Sequence, residues 1–159
     1  MKKIFMAILL ALTTLSVSAQ FEKGTSYLNA SMTGLDLSYS KNTKFTLGLN
    51  ATGGYFLEDG WMLYGRVGYD HPAASVNTAQ LGVGGRYYIE QNGLYLNLGL
   101  QYEFAGKEQN YIHLTPELGY CFYLNHYLSI EPAVYYNCCL NKFSEASRVG
   151  LKVGLGFYF

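Results

Sequence analysis

The chain has 159 residues with 16 Tyr, 9 Phe and 18 Gly, no formal net charge, 14% charged residues and a mean hydropathy of +0.04. With neither net charge nor a basic block, it offers no electrostatic support for nucleic acid or for acidic partners. A single apolar run near the start excludes a helical membrane protein but not a transmembrane barrel, in which only alternate residues meet lipid.

In chain order, Lys2 and Lys3 precede an apolar run from Ile4 to Leu12, which is followed by a small-residue site at Val17-Ser18-Ala19. This is the three-part layout of a secretory signal peptide, and cleavage is expected after Ala19. The run is too short to cross a bilayer as a helix, which takes about 20 apolar residues. No cysteine follows the site, so a lipid anchor is not expected, and residues 20–159 are read as one exported domain.

Beyond it, period-2 alternation runs over residues 26–40, 44–57, 61–70, 78–90, 94–105, 111–124, 127–138 and 148–159. These are eight predicted strands, with no sustained helical period between them. In the first, Leu28, Ala30 and Met32 share one parity while Leu35, Leu37 and Tyr39 share the other, which predicts a bulge near Thr33-Gly34. The connections alternate in length. Leu57-Glu58-Asp59-Gly60-Trp61, Glu90-Gln91-Asn92-Gly93 and Leu124-Asn125-His126-Tyr127 read as tight turns. Asp70–Asn77, Gly106–Asn110 and Asn137–Ser147 are longer and polar, with a shorter link at Ser40-Lys41-Asn42. Short turns at one end and longer loops at the other is the build of outer-membrane barrels, whose short turns face the periplasm.

The faces of the strands differ in charge. In strands two to eight the apolar set, such as Leu94, Leu96, Leu98 and Leu100, holds no charged residue, whereas the other set holds Arg66, Asp70, Arg86, Glu90, Glu103, Glu117, Glu131, Arg148 and Lys152. A soluble lipocalin-like barrel would put its charges outside. An Arg or Lys facing the bilayer midplane costs about 2–4 kcal/mol, so the apolar set faces lipid and the charged set a lumen. The lumen set is also rich in glycine, including Gly82, Gly84, Gly99, Gly119, Gly154 and Gly156, leaving room for inward Tyr64, Tyr88, Tyr95, Tyr123, Tyr135 and Tyr158. A lumen of eight strands is narrow enough for side chains to fill. Outward aromatics gather near strand ends as two girdles: Tyr55, Trp61, Tyr87, Phe122, Phe157 and Phe159 at the turn end, and Phe45, Tyr69, Tyr102, Phe104 and Tyr136 at the loop end. An open edge within lipid leaves backbone groups unpaired, so the last strand should pair with the first. The fold class is all-β, an eight-stranded antiparallel up-and-down transmembrane barrel.

The final strand carries a more specific pattern. Lys152, Gly154, Phe157 and Phe159 place a polar residue, a glycine two later, and aromatics three and five beyond that. This resembles the C-terminal signal of Gram-negative outer-membrane barrels. The whole mature chain resembles the small eight-stranded barrels of the outer membrane protein A and X type. The resemblance implies residence in the outer membrane, contact with lipopolysaccharide and phospholipid, a monomeric state, and recognition of those four residues by the barrel assembly machinery during insertion.

The inward charges Arg66, Arg86, Glu103, Glu117, Glu131 and Lys152 are the main site candidates. Charges buried in a narrow lumen must pair, so they are expected to form a salt-bridge network that blocks permeation; the sequence leaves open which pairs form. The alternatives are a narrow pore for water or small solutes and a lipid A-modifying enzyme. The deacylase type needs a His and a Ser two apart on a lipid-facing surface, and the nearest match, His113 and Thr115, faces inward. Asp70, His71 and Ser75 lie too close along one loop to assemble obviously into a triad. Pro116 and Pro132 fall on the lipid-facing set of neighbouring strands and predict local bulges or weakened pairing. Cys121, Cys138 and Cys139 have no metal-ligand spacing and predict no disulfide framework. No enzyme activity, cofactor or metal is expected.

Overall fold

The computed structural model describes residues 21–38, 46–72, 78–89, 92–105, 109–141 and 147–159. The expected signal peptide, the Ser40-Lys41-Asn42 link, Phe45, Ser75, Glu90 and Gln91 lie outside the described residues, as do the side chains of His71 and Arg148. The strands are β1 (Ser26–Ser38), β2 (Thr46–Glu58), β3 (Trp61–Pro72), β4 (Thr78–Ile89), β5 (Leu94–Ala105), β6 (Gln109–Tyr120), β7 (Phe122–Tyr123), β8 (Leu128–Cys139) and β9 (Arg148–Tyr158). The sheet runs β6-β5-β4-β3-β2-β1-β9-β8-β7, and a further β6–β8 pairing closes it. Every pairing is antiparallel. β7 continues β6 beyond Cys121, so the barrel has eight staves. The stave expected over residues 111–124 is thus continuous in direction but interrupted at one residue.

Closure joins the two ends of the chain. β1 pairs β9 from Tyr27↔Tyr158 to Ser38↔Arg148, with one register shift between Thr33 and Leu35, where the parity change predicts the bulge. Ser26 and Phe159 exchange both backbone hydrogen bonds, at 2.7 and 3.0 Å. At the turn end, Gly60 and Gly93 adopt φ of 74° and 68°, a region that costs a Cβ-bearing residue strain, which is why Asp-Gly and Asn-Gly sit there. The third turn uses a different device. The Asn125 side-chain oxygen accepts from the backbone N–H of Tyr127 at 2.8 Å and of Leu128 at 2.9 Å.

The barrel is inverted relative to a soluble protein. Leu49, Val83, Leu98 and Val153 are more than half exposed, whereas Arg86, Glu117 and Glu131 are buried. Three aromatic pairs mark the ends of the apolar band: Trp61–Tyr87 at 4.7 Å and Tyr120–Phe122 at 4.4 Å on the turn side, and Tyr102–Phe104 at 4.6 Å on the loop side. Inward glycines provide space for specific rings. A Cβ on Gly84 or Gly99 would collide with the Tyr64 hydroxyl, and one on Gly119 with the Tyr95 ring.

One seam is weaker than the rest. Between β6 and β8 the ladder runs His113↔Cys139 and Leu114↔Cys138, then resumes at Glu117↔Tyr135 and stops after Gly119↔Ala133. Pairing returns only at Phe122↔Ile130. Pro116 falls in the first gap and Pro132 in the second, each lacking the N–H the ladder needs. Thr115 bridges the first gap with a 2.9 Å hydroxyl bond to the Asn137 side-chain oxygen. Each proline withholds a donor from the carbonyl opposite it, so amides flanking the two gaps should exchange with deuterium several-fold faster than amides in the unbroken β4–β5 ladder. Pro116→Val should restore that donor and slow exchange around the first gap, whereas equal protection around the whole barrel would remove the seam.

Candidate functional site: the lumen

Two carboxylates organise the lumen, and each is reached from strands on the far wall. Inward parity on β3, β4, β6, β8 and β9 aims Arg66, Arg86, Glu117, Glu131 and Lys152 at the axis. Lys152 donates to Glu117 Oε2 at 2.6 Å and Arg66 to the same oxygen at 3.3 Å. Asn97 adds a 3.0 Å bond to Oε2, Tyr95 a 3.2 Å bond to Oε1, and Arg86 approaches Oε1 at 3.7 Å. Glu131 accepts from Arg86 at 3.0 Å, Tyr27 at 2.5 Å, Tyr158 at 2.8 Å and Ser129 at 2.9 Å.

Arg86 links the two clusters. Its Nη1 donates to Tyr27 and Tyr88, both at 2.9 Å, and its guanidinium lies 4.2 Å from the centre of the Tyr95 ring. A buried ion costs several kcal/mol to desolvate, and the cost is offset only where its hydrogen-bonding capacity is filled. Each carboxylate here has four or more donors, so both are satisfied, whereas the Arg86 Nε is buried without a hydrogen-bond partner.

Glu103 is buried on the inward face of β5. Its Oε2 lies 3.1 Å from Nε2 of His113, nearer the loop end. Alternation assigns Glu103 to the inward face, but strand tilt decides which inward neighbours it meets. The Thr115 hydroxyl donates to the Asn137 side-chain oxygen at 2.9 Å, and both His113 and Thr115 are buried. None of the three cysteines forms a disulfide, and Cys121 and Cys139 are buried.

The lumen is layered. Above Lys152, toward the loop end, a cavity of about 20 Å³ is lined by Asn50, Arg66, Asp70, Gln101, Asn137 and other polar side chains, room for about one water molecule. Below the ion pairs, toward the turn end, Tyr27, Phe56, Met62, Tyr88, Tyr95 and Tyr158 form an aromatic core that Phe21 completes. Tyr27 could have been found from the sequence, since Leu28, Ala30 and Met32 facing outward place it inward. Phe21 could not, because it lies outside the alternating segments.

Of the terminal pattern, Lys152 and Gly154 face inward, Gly154 against the Asn29 side chain, while Phe157 and Phe159 face outward. Phe157 sits between Leu28 of β1 and Leu128 of β8.

No protein-family model and no curated protein matches the sequence. Solved structures do match. The N-terminal β-barrel domain of Pseudomonas aeruginosa OprF superposes with a TM-score of 0.68 at 17% identity, over 86% of this chain and 98% of that one. Neisserial surface protein A gives 0.63 at 15% identity, over 86% and 100%. The outer membrane protein Ail of Yersinia pestis gives 0.54 at 16% identity, over 86% and 100%. The chain therefore has the fold of the small eight-stranded outer-membrane β-barrels.

Proposed function

We propose that this protein is an integral outer-membrane barrel, exported by its signal peptide, whose lumen is plugged by side chains and which serves a structural, surface-interaction or envelope-integrity role. The observation that carries this reading is the inversion of polarity. A band of exposed Leu and Val encloses buried Arg, Lys and Glu, an arrangement stable in lipid and unstable in water. Its partners are lipopolysaccharide and phospholipid on the outer wall and the barrel assembly machinery during insertion, and it acts as a monomer without cofactor. The plug follows from Glu117 and Glu131 drawing Arg66, Arg86 and Lys152 across the axis.

The detergent-purified protein should shift mobility on a gel when heated, as closed barrels do, and give no conductance in a planar bilayer. Reproducible single-channel steps would overturn the plug in favour of a narrow pore. Incubation with lipopolysaccharide should leave its acyl pattern unchanged by mass spectrometry, and a lost or added chain would make the protein a lipid A-modifying enzyme.

A further inference from the structure

The turn-end mouth of the lumen is closed by a side chain that belongs to no strand. Residues 21–25 precede β1, and Gly24, at φ 94°, turns the backbone so that the segment crosses toward the β2–β3 turn. Phe21 enters the mouth and is 4% exposed. Its ring stacks on Tyr88 at 4.1 Å and 24°, with Tyr123 at 5.8 Å, Phe56 at 6.0 Å and Tyr158 at 6.1 Å.

The segment is tied to that turn and to β2. The Gly60 N–H donates to the Phe21 carbonyl at 2.8 Å, the Lys23 N–H to Asp59 Oδ1 at 2.8 Å, and the Gly24 N–H to the Phe56 carbonyl at 2.9 Å. Lys23 Nζ also meets Glu58 at 2.6 Å in an exposed ion pair. The hydrogen bond and charge of Glu58 raise the Lys23 pKa above its ordinary value. That contact is therefore present at neutral pH and is lost as the pH rises through the raised value.

We propose that residues 21–25 are a strap that opens and closes this mouth, with Phe21 the exchangeable occupant of an aromatic socket made by Phe56, Tyr88, Tyr123 and Tyr158. Each socket residue belongs to a stave of the closed sheet. The strap has a few hydrogen bonds and one buried ring, so it can open while the barrel remains folded. Directly beneath the socket, Tyr88 and Tyr158 contact Arg86 and Glu131, and both of these charged side chains are 2% exposed. Withdrawing Phe21 admits water to that pair, and the attraction between two charges falls severalfold as the surrounding dielectric rises. The strap thus sets how dry, and so how tight, the lower half of the plug is. This goes beyond the plugged-barrel reading and holds whether or not the lumen conducts.

Cys121 is a built-in reporter. It is 1% exposed beneath the socket, with Sγ 3.3 Å from the Tyr158 hydroxyl. The test uses the full chain folded in phospholipid vesicles, with Cys138→Ala and Cys139→Ala removing the other thiols and heat-modified mobility checking the fold. A small water-soluble methanethiosulfonate should label Cys121 slowly while Phe21 is in place and at least about ten-fold faster in Phe21→Ala. Glu58→Ala with Asp59→Ala loosens the strap without touching the socket and should also speed labelling. That pair decides the matter if Phe21→Ala does not insert. Labelling at the parent rate in the loosened variants, or a parent rate already as fast as theirs, would overturn the strap.

Discussion

Glu117→Ala should destabilise the folded barrel in lipid vesicles by about 3–5 kcal/mol, measured by reversible urea unfolding. Glu117 is the shared acceptor of Lys152 at 2.6 Å and Arg66 at 3.3 Å, with Arg86 3.7 Å away. Removing it leaves buried cations facing one another without a carboxylate between them, and that uncompensated charge makes up most of the cost. The double variant Glu117→Ala with Lys152→Met should therefore recover part of the loss, a coupling above about 1 kcal/mol. On the proposed plug, the same single variant should also produce conductance in a planar bilayer. A loss below about 1 kcal/mol would mean that the carboxylate is not the centre of the network.

Leu98→Arg tests the other face. Leu98 lies midway along β5, points outward at 54% exposed, and pairs with Gly85 on one side and Pro116 on the other. In lipid this change should cost about 2–4 kcal/mol, while Phe104→Arg, in the aromatic pair at the loop end, should cost about 0–1 kcal/mol. Depth dependence is the diagnostic, because a surface substitution on a water-exposed sheet stays within about 0.5 kcal/mol at either position. Equal small costs at both sites would remove lipid from the outer wall.

These two experiments probe what was and was not legible in the chain. Alternation has a period of two residues, matching the side-chain period of a strand, so the facing of Leu98, Arg86 or Glu117 follows from the sequence. The parity change in the first strand located its bulge for the same reason. The break at Cys121 was not legible, because Cys121 keeps the inward parity of its stave and only the missing pairs opposite Glu131 and Pro132 reveal it. Glu103 was legible as inward but not as the neighbour of His113, since parity carries no information about depth or angle.

The sequence by itself determined the number of staves, their register parity, the polarity of the two faces and the positions of the tight turns, because each depends on residues adjacent along the chain. Tertiary structure alone decided that Arg86 reaches Glu131 and that Lys152 and Arg66 share Glu117. It also decided that Phe21 packs into the aromatic core at the turn end. Those contacts join residues from non-neighbouring staves or from outside the staves altogether. Which of them meet is set by strand tilt and stagger around a closed barrel, quantities that local alternation does not encode.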